Sequence, residues 1–299
     1  MIEYHNDTAL FHEALLYTEA TTGFRAHLIE KDYFCSVILE RLQDEKNIPF
    51  FKGETALSKI HAQFYRMSED LDFSIPIEAN SSRSERSQLV APFKKWVDSL
   101  GKFIPIIEVV ETLTGYNNST QYIAKLCYTS ALSGQPESIK LEIGLREPIL
   151  DRVDHSFSAT TLLIDPLRRR PAVEPIQVKA LSCREAYAEK FRAALTRREP
   201  VIRDYYDIDY GHRKSLFKAD DLVFLGFVQS KLKIADEIAK LNDVFLETLR
   251  RQIAPHLVPV LRESDLSDFD LDRAWQIVRH VAATAEDFSV VHQEEKTES

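Results

Sequence analysis

Apolar residues recur at helical spacing at Phe34, Val37, Ile38 and Leu42, with Glu30, Lys31 and Glu40 interleaved. The first 45 residues therefore predict helix, and Gly23 separates a shorter helix around 9–19. The run Ile48-Pro49-Phe50-Phe51 predicts a buried strand ending at Gly53, after which 55–64 returns to a helical pattern. Leu71, Phe73 and Ile75 alternate with Asp70, Asp72 and Ser74, the period of a strand over 71–77 with one apolar and one polar face. The polar run NSSRSERS (80–87) predicts a loop or cap before a helix through Trp96 to Leu100. Three strand-like segments follow at 103–113, 122–129 and 138–143. Pro166, Pro171 and Pro175 around Arg168-Arg169-Arg170 mark 165–175 as the domain boundary. Beyond it the pattern is helical, first over 183–199, then through Ile234, Ile238, Leu241, Phe245 and Leu249, and last through Leu271, Trp275, Val278 and Ala282. The tail HQEEKTES is expected to fray. The outline is an α/β domain over 1–165 followed by a helical domain over 176–299.

Composition narrows the function classes. With 299 residues, 44% hydrophobic and 28% charged, the chain suits one large or two modest globular domains. No stretch approaches about 18 uninterrupted apolar residues, so no membrane span is expected. The start MIEYHNDTALFHEAL lacks the basic-then-apolar pattern of a secretory leader. Cys35, Cys127 and Cys183 are far apart and odd in number, which reads as reduced thiols of a cytoplasmic protein. The chain has eight glycines, none closer than the ten positions between Gly134 and Gly144, so G-x-G-x-x-G and G-x-x-x-x-G-K phosphate cradles are absent. A net charge of −9 leaves only local patches to hold nucleic acid.

Three segments carry candidate chemistry. Asp70 and Asp72 lie two apart on a predicted strand, which puts both side chains on one face with Cα atoms about 6.6 Å apart. Carboxylates that close repel unless a cation lies between them, and Mg²⁺ is the hard, oxygen-seeking candidate; a solvated strand face is the alternative. Gly53-Glu54-Thr55, about 15 residues upstream, sets a helix N-terminus after a glycine turn, a layout suited to a nucleotide. Lys140, Glu142 and Gly144 alternate with Ile139, Leu141 and Ile143, so Glu142 either supplies a third carboxylate from a neighbouring strand or faces solvent on an edge strand. Ala186, Lys190, Ala193 and Arg197 form one helical stripe that suits close approach to a triphosphate or simply faces water, and Arg203, Asp204 and Asp207 open the next helix.

In chain order, IEKDYF (29–34), FKGETALSK (51–59), RMSEDLDFSI (66–75), IKLEIGLREP (139–148) and AEKFRAALTRREPVIRDYYDI (188–208) resemble the AbiEii/AbiGii family of nucleotidyltransferase-like toxins of type IV toxin–antitoxin and phage-defence loci. The resemblance runs from about 29 to 210, and from Gly211 onward only the helical character fits. It implies a nucleotidyltransferase fold, an α/β domain with a mixed sheet and flanking helices, followed by a C-terminal helical domain. It also implies transfer of a nucleoside monophosphate from an NTP to RNA, with the tRNA 3′ acceptor end as target class, and a cognate antitoxin. On that pattern Asp70 and Asp72 hold Mg²⁺, with Glu142 at the third acid position. Gly53 and Thr55 bind the β- and γ-phosphates, joined by Lys59 of the same motif and by Ser68 on the turn before the metal strand. Lys190, with Arg197, contacts the triphosphate, and Asp204 or Asp207 completes the helical-side motif. The chain departs from the family where Gly-Gly or Gly-Ser is usual, because Glu54 follows Gly53. An inward carboxylate would repel a triphosphate in a partly dry site, whereas an outward one is favourable at a helix N-terminus, so the outward orientation is expected.

The expected mechanism is metal-assisted phosphoryl transfer by two Mg²⁺ ions about 3.5–4 Å apart, which needs no Ser or Cys nucleophile. Arg168–Arg170 and the group Arg192, Arg197, Arg198 and Arg203 are the candidate RNA contacts. The competing readings are a non-catalytic scaffold for nucleotide or protein, and nucleotidyl transfer onto a protein hydroxyl. A monomer is the default expectation.

Overall fold

The computed structural model describes residues 3–43, 49–78, 81–146, 148–233 and 241–297, with side chains described through Ala285. Ile48, Asn80, Glu147, Ile234 and Ile238, and the side chains of the tail HQEEKTES, lie outside the described residues. The chain divides into two compact units, one of Met1–Ile149 with Asp154–Leu181 and one of Leu150–Val153 with Ser182–Ser299.

In the first unit, α1 (Thr8–Thr22) opens where the Asp7 carboxylate accepts the Leu10 N–H, and it ends at Gly23. The next helix, α2 (Ala26–Leu42), is buried along most of its length, Glu30, Lys31 and Asp32 included. Burial on that scale requires partners for the charges. Glu30 accepts from the Ser130 hydroxyl and the Ala131 N–H, and Lys31 pairs with Glu69 at 2.6 Å. The short strand β1 (Phe50–Lys52) turns at Gly53 into α3 (Gly53–Ala56), which runs on as a π-helical turn over Leu57–His61. Left-handed backbone at Gln63 and Phe64 stops that turn. Strand β2 (Leu71–Ser74) is shorter than the alternation predicts, and Asp70 immediately precedes it. Ser82 and Glu85 form a capping box that opens α4 (Arg83–Phe103), so part of the polar run 80–87 is the helix's own first turn.

Strands β3 (Glu108–Tyr116), β4 (Gln121–Thr129) and β5 (Pro136–Gly144) complete a five-stranded mixed sheet of order β1-β2-β5-β4-β3. The β2–β5 pair is parallel and the other pairs are antiparallel. Strand β5 is therefore the middle strand, which removes the exposed-edge reading of Glu142. Leu71, Phe73, Leu141 and Ile143 point into one contiguous core with Phe34, Ile38, Val90 and Val97, leaving the alternate positions for polar groups.

The region expected to be a linker is structured and belongs to the first unit. Strand β6 (Ser156–Ala159) precedes a small hairpin of β7 (Ile164–Asp165) and β8 (Arg170–Pro171), and β9 (Ile176–Lys179) returns antiparallel to β6. The Asp165 carboxylate accepts the N–H groups of Leu167 and Arg168 and closes the arginine turn. The division between units consequently falls at Leu181/Ser182 rather than within 165–175.

The second unit is helical: α5 (Cys183–Thr196), α6 (Ile202–Arg213), α7 (Leu222–Leu232), α8 (Asp243–Gln252), α9 (Glu263–Ser267) and α10 (Leu271–Thr297). Ser182 caps α5 by accepting the Glu185 N–H. The helix stops at Thr196, short of the expected 199, ahead of Pro200. Phe191, Phe217 and Phe224 pack ring against ring, and Trp275 stacks on Tyr205. A Cβ on Gly211 would lie 2.4 Å from the Tyr187 ring, so α6 can meet α5 there only through glycine. The buried Glu185 carboxylate accepts the N–H groups of Leu150 and Asp151, which is why the segment Leu150–Val153 belongs to this unit. Among the described residues no helix is long and apolar enough to cross a membrane.

Candidate active site

The sheet of the first unit sets three charged residues in a row. Lys52 on β1 is paired in register with Asp72 on β2, and Asp72 with Glu142 on β5. The parallel β2–β5 pairing puts Asp72 and Glu142 on the same polar face, with apolar Leu71, Phe73, Leu141 and Ile143 on the other. The two distant acidic stretches thus meet on neighbouring strands. Asp70, the residue before the strand, adds a third carboxylate, which Lys140 Nζ approaches to 3.6 Å while lying 3.4 Å from Glu142 Oε2.

Gly53 makes close approach to this row possible. Its φ of +76° lies in the left-handed region, and a Cβ there would sit 2.6 Å from Asp72 Oδ2. The chain passes over the carboxylate with no side chain between. Thr55 is buried and donates its hydroxyl proton to the Asp70 carbonyl, tying the first turn of α3 to the residue that leads into β2. Ser68 is buried two positions before Asp70.

The carboxylates are electrostatically frustrated. Burial first, and then the Glu142 charge, push the Asp72 carboxyl up from 3.8 to about 7. Burial also raises Asp70, with Lys140 opposing. For Lys140, burial works against its charge, yet Asp72, Asp70 and Glu142 together hold the ammonium above the ordinary lysine range. Three acids outnumber the lysines facing them, and each carboxylate offers the hard oxygen donors that a divalent cation of the Mg²⁺ type takes. Gln121 orients Glu142 by donating Nε2–H to Oε1 at 2.6 Å, and Asn117 and Arg146 in turn donate to the Gln121 oxygen at 2.9 and 3.0 Å.

Two expectations in this unit are corrected. Lys59 does not face phosphate: its ammonium is fully buried, pairs with Asp32 at 2.6 Å, and donates to Ser36 and to the Asp32 and Thr160 carbonyls. Three protons are already shared among four oxygens, so none remains for a ligand. Glu54 does not point outward into solvent either. Buried Arg66 pairs with its carboxylate at 2.7 Å and offsets part of the charge that would repel a triphosphate, although that charge still raises Asp70. Replacing Glu54 by Gln should destabilise the fold by about 2 kcal/mol, because buried Arg66 would lose its ion pair with Glu54. Urea denaturation of the purified variant measures this, and a change below about 0.5 kcal/mol would show Arg66 to be satisfied without Glu54.

In the second unit, Lys190 on α5 lies 3.0 Å from Asp204 Oδ1 and 2.8 Å from Asp207 Oδ2, both on α6. Both carboxylates are fully buried and Lys190 nearly so. Lys190 is therefore part of an ion-paired cluster rather than an open basic face. Arg197, just past the end of α5, is exposed and reaches Asp204 Oδ2 at 3.4 Å. The stripe Ala186, Lys190, Ala193 and Arg197 thus runs from the interior to the surface. Arg168, Arg169, Arg170 and Arg198 are exposed, while Arg192 and Arg203 are half-buried.

Sequence reasoning missed Lys140 as a member of the acidic cluster, Gln121 as its support and Arg66 as the partner of Glu54. Lys140 could have been found, since it sits two residues before Glu142 on the same strand face. The other two come from non-local contacts that periodicity does not show.

A model of the nucleotidyl transferase AbiEii toxin family, of the type IV toxin–antitoxin system, matches residues 37–288. No curated protein matches the chain in sequence. Among solved structures, MenT4, a nucleotidyltransferase toxin from Mycobacterium tuberculosis H37Rv, aligns at a TM-score of 0.50 and 17% identity, covering 92% of this chain and 98% of its own. That likeness shows the mixed α/β fold of a nucleotidyltransferase toxin. JHP933 from Helicobacter pylori aligns at a TM-score of 0.45 and 16% identity, over 92% of this chain and 100% of its own.

Proposed function

The chain belongs to the AbiEii family of nucleotidyltransferase toxins of type IV toxin–antitoxin systems, and from that premise we propose that it transfers a nucleoside monophosphate from an NTP to the 3′ acceptor end of tRNA, with Asp70, Asp72 and Glu142 holding Mg²⁺. The chain is a nucleotidyltransferase, so the reading as a non-catalytic scaffold falls away. The observation that carries the metal assignment is the register pairing of Asp72 with Glu142 on adjacent parallel strands, with Asp70 two residues upstream. Acids brought together against their mutual repulsion are the arrangement a divalent cation rewards.

Magnesium bound to these oxygens would neutralise charge on the α-phosphate and on the departing pyrophosphate. In the transfer, a terminal ribose hydroxyl of the RNA loses its proton to water and forms a bond to the α-phosphorus, while the bond to the β-phosphate oxygen breaks and pyrophosphate leaves. The residues' part is positioning and electrostatics. Gly53 keeps the space beside Asp72 open for the phosphates, and the backbone of the turn it begins supplies N–H groups. Thr55 holds that turn against Asp70. Lys190 and Arg197 are proposed as the cations of the helical unit that take the triphosphate, with Asp204 and Asp207 setting the position of Lys190. Arg168–Arg170 and the Arg192, Arg197, Arg198 and Arg203 group are proposed to hold RNA phosphates on a chain whose net charge is −9. The family supplies an antitoxin as partner.

Sequencing tRNA 3′ ends after brief expression in bacteria tests the acceptor. Ends extended by added nucleotides are expected with the natural chain and unextended ends with Asp70→Ala. Unchanged tRNA together with a protein whose intact mass rises by one nucleotide would move the reading to transfer onto a protein hydroxyl.

A further inference from the structure

We propose that Lys140 is the resident counter-cation of the acidic cluster, so that the divalent metal enters together with the nucleotide rather than ahead of it. The ammonium bridges two of the three carboxylates the metal needs, 3.4 Å from Glu142 Oε2 and 3.6 Å from Asp70 Oδ2. Its place on β5, two residues before Glu142, raises its side chain from the same face of the sheet as the acids. Asp72, in register with Glu142, completes the acidic set around it. A cation that binds Asp70 and Glu142 oxygens at coordination distance meets the positive charge of Lys140 there, and the ammonium must withdraw for the metal to enter. The side chain is 43% exposed, so it has room to withdraw.

A triphosphate changes this competition. It brings several negative charges and offers the displaced ammonium new oxygen acceptors of its own. Metal and nucleotide then favour each other's binding, and by linkage each raises the affinity of the other by the same factor. Lys140 is in this sense a positioning residue: it sets the order of loading and offsets part of the acids' charge until the nucleotide arrives. Methionine at 140 removes the charge while keeping an unbranched chain of similar length.

The inference rests on the carboxylates being the metal site, and the test separates the two. Full-length, metal-free protein is titrated with Mn²⁺, free ion being read by electron paramagnetic resonance, with and without a non-transferable NTP analogue. The natural chain is expected to bind Mn²⁺ weakly alone and about tenfold more tightly with the analogue. Lys140→Met is expected to bind about tenfold more tightly than the natural chain without nucleotide, and to gain little from the analogue. Lys140→Arg, which restores the charge, should behave as the natural chain does. Lys140→Met binding Mn²⁺ no more tightly than the natural chain overturns the assignment of Lys140, provided Asp72→Asn titrated in parallel has lost the ion. If Asp72→Asn instead binds Mn²⁺ as the natural chain does, the metal-site reading fails first and takes this one with it.

Discussion

Asp72→Asn is expected to lower nucleotidyl transfer by about 1000-fold or more, the scale on which losing a metal ligand removes stabilisation of developing charge. The same change should stabilise the metal-free fold at high pH. Asp72 has its carboxyl pushed up from 3.8 to about 7 by burial and by Glu142. Between those values the folded state holds a proton that the unfolded chain has released. The stabilisation from that bound proton is present in full below about 4, falls as pH rises through the window, and is gone above about 7. Asparagine is neutral at every pH and escapes the loss. Three pH units correspond to about 4 kcal/mol as an upper bound, and partial hydration of the site brings the expectation to about 2 kcal/mol at pH 8. Urea denaturation in chelator at pH 4 and pH 8 checks both sign and window. The variant should match the natural chain at pH 4 and exceed it at pH 8, and Mg²⁺ added with a non-transferable NTP analogue should stabilise only the natural chain. A variant less stable at pH 8 would mean that the acids are already compensated by the protein alone. Gained stability with lost activity is the pattern of a residue kept for chemistry at a cost to folding.

Lys190→Met should destabilise the helical unit by about 3–5 kcal/mol. Two fully buried carboxylates, Asp204 and Asp207, lose the ammonium that lies 3.0 and 2.8 Å from them. Arg197 remains beside one oxygen of Asp204, but it is exposed and 3.4 Å away. Hydrogen exchange of α5 and α6 amides localises the effect, and urea denaturation gives its size. Lys190→Arg should retain more of the stability because it keeps the charge. The triple change Lys190→Met, Asp204→Asn, Asp207→Asn should recover much of the loss, since the cost lies in leaving charges buried and unpaired rather than in the absence of the cluster. A loss below about 1 kcal/mol for Lys190→Met would show that water reaches these carboxylates. Nucleotide binding by Lys190→Arg, measured where the variant is folded, then reports on the proposed triphosphate contact separately from folding.

What the sequence made legible here is what obeys a short period. Alternation around Leu71, Asp72 and Phe73 and around Leu141, Glu142 and Ile143 assigned each acid to the polar face of a strand. A glycine at 53 after an apolar run marked a turn. Ordered motifs then related the strands to each other, which periodicity alone could not do. The features that escaped depend on distant contacts. Lys59 falls on a helical pattern that is consistent with an outward ammonium, but Asp32 and Ser36 of α2 draw it into the core. Glu54 and Arg66 meet because a π-helical turn and left-handed residues at 63 and 64 fold the chain back, and no propensity rule anticipates that path. The prolines and arginines of 165–175 carry the composition of a linker, yet the β7–β8 hairpin and the β6–β9 pairing hold them in the first unit. Lys190 reads as basic surface until α6 brings two carboxylates against it.

Crystals grown with Mn²⁺ and a non-transferable NTP analogue, examined by anomalous scattering, test the metal site most directly. At least one anomalous peak is expected within about 2.5 Å of carboxylate oxygens of Asp70 and Asp72, with the triphosphate on its other side. Nucleotide bound with the metal held by other residues, and these carboxylates left paired with Lys140, would contradict it.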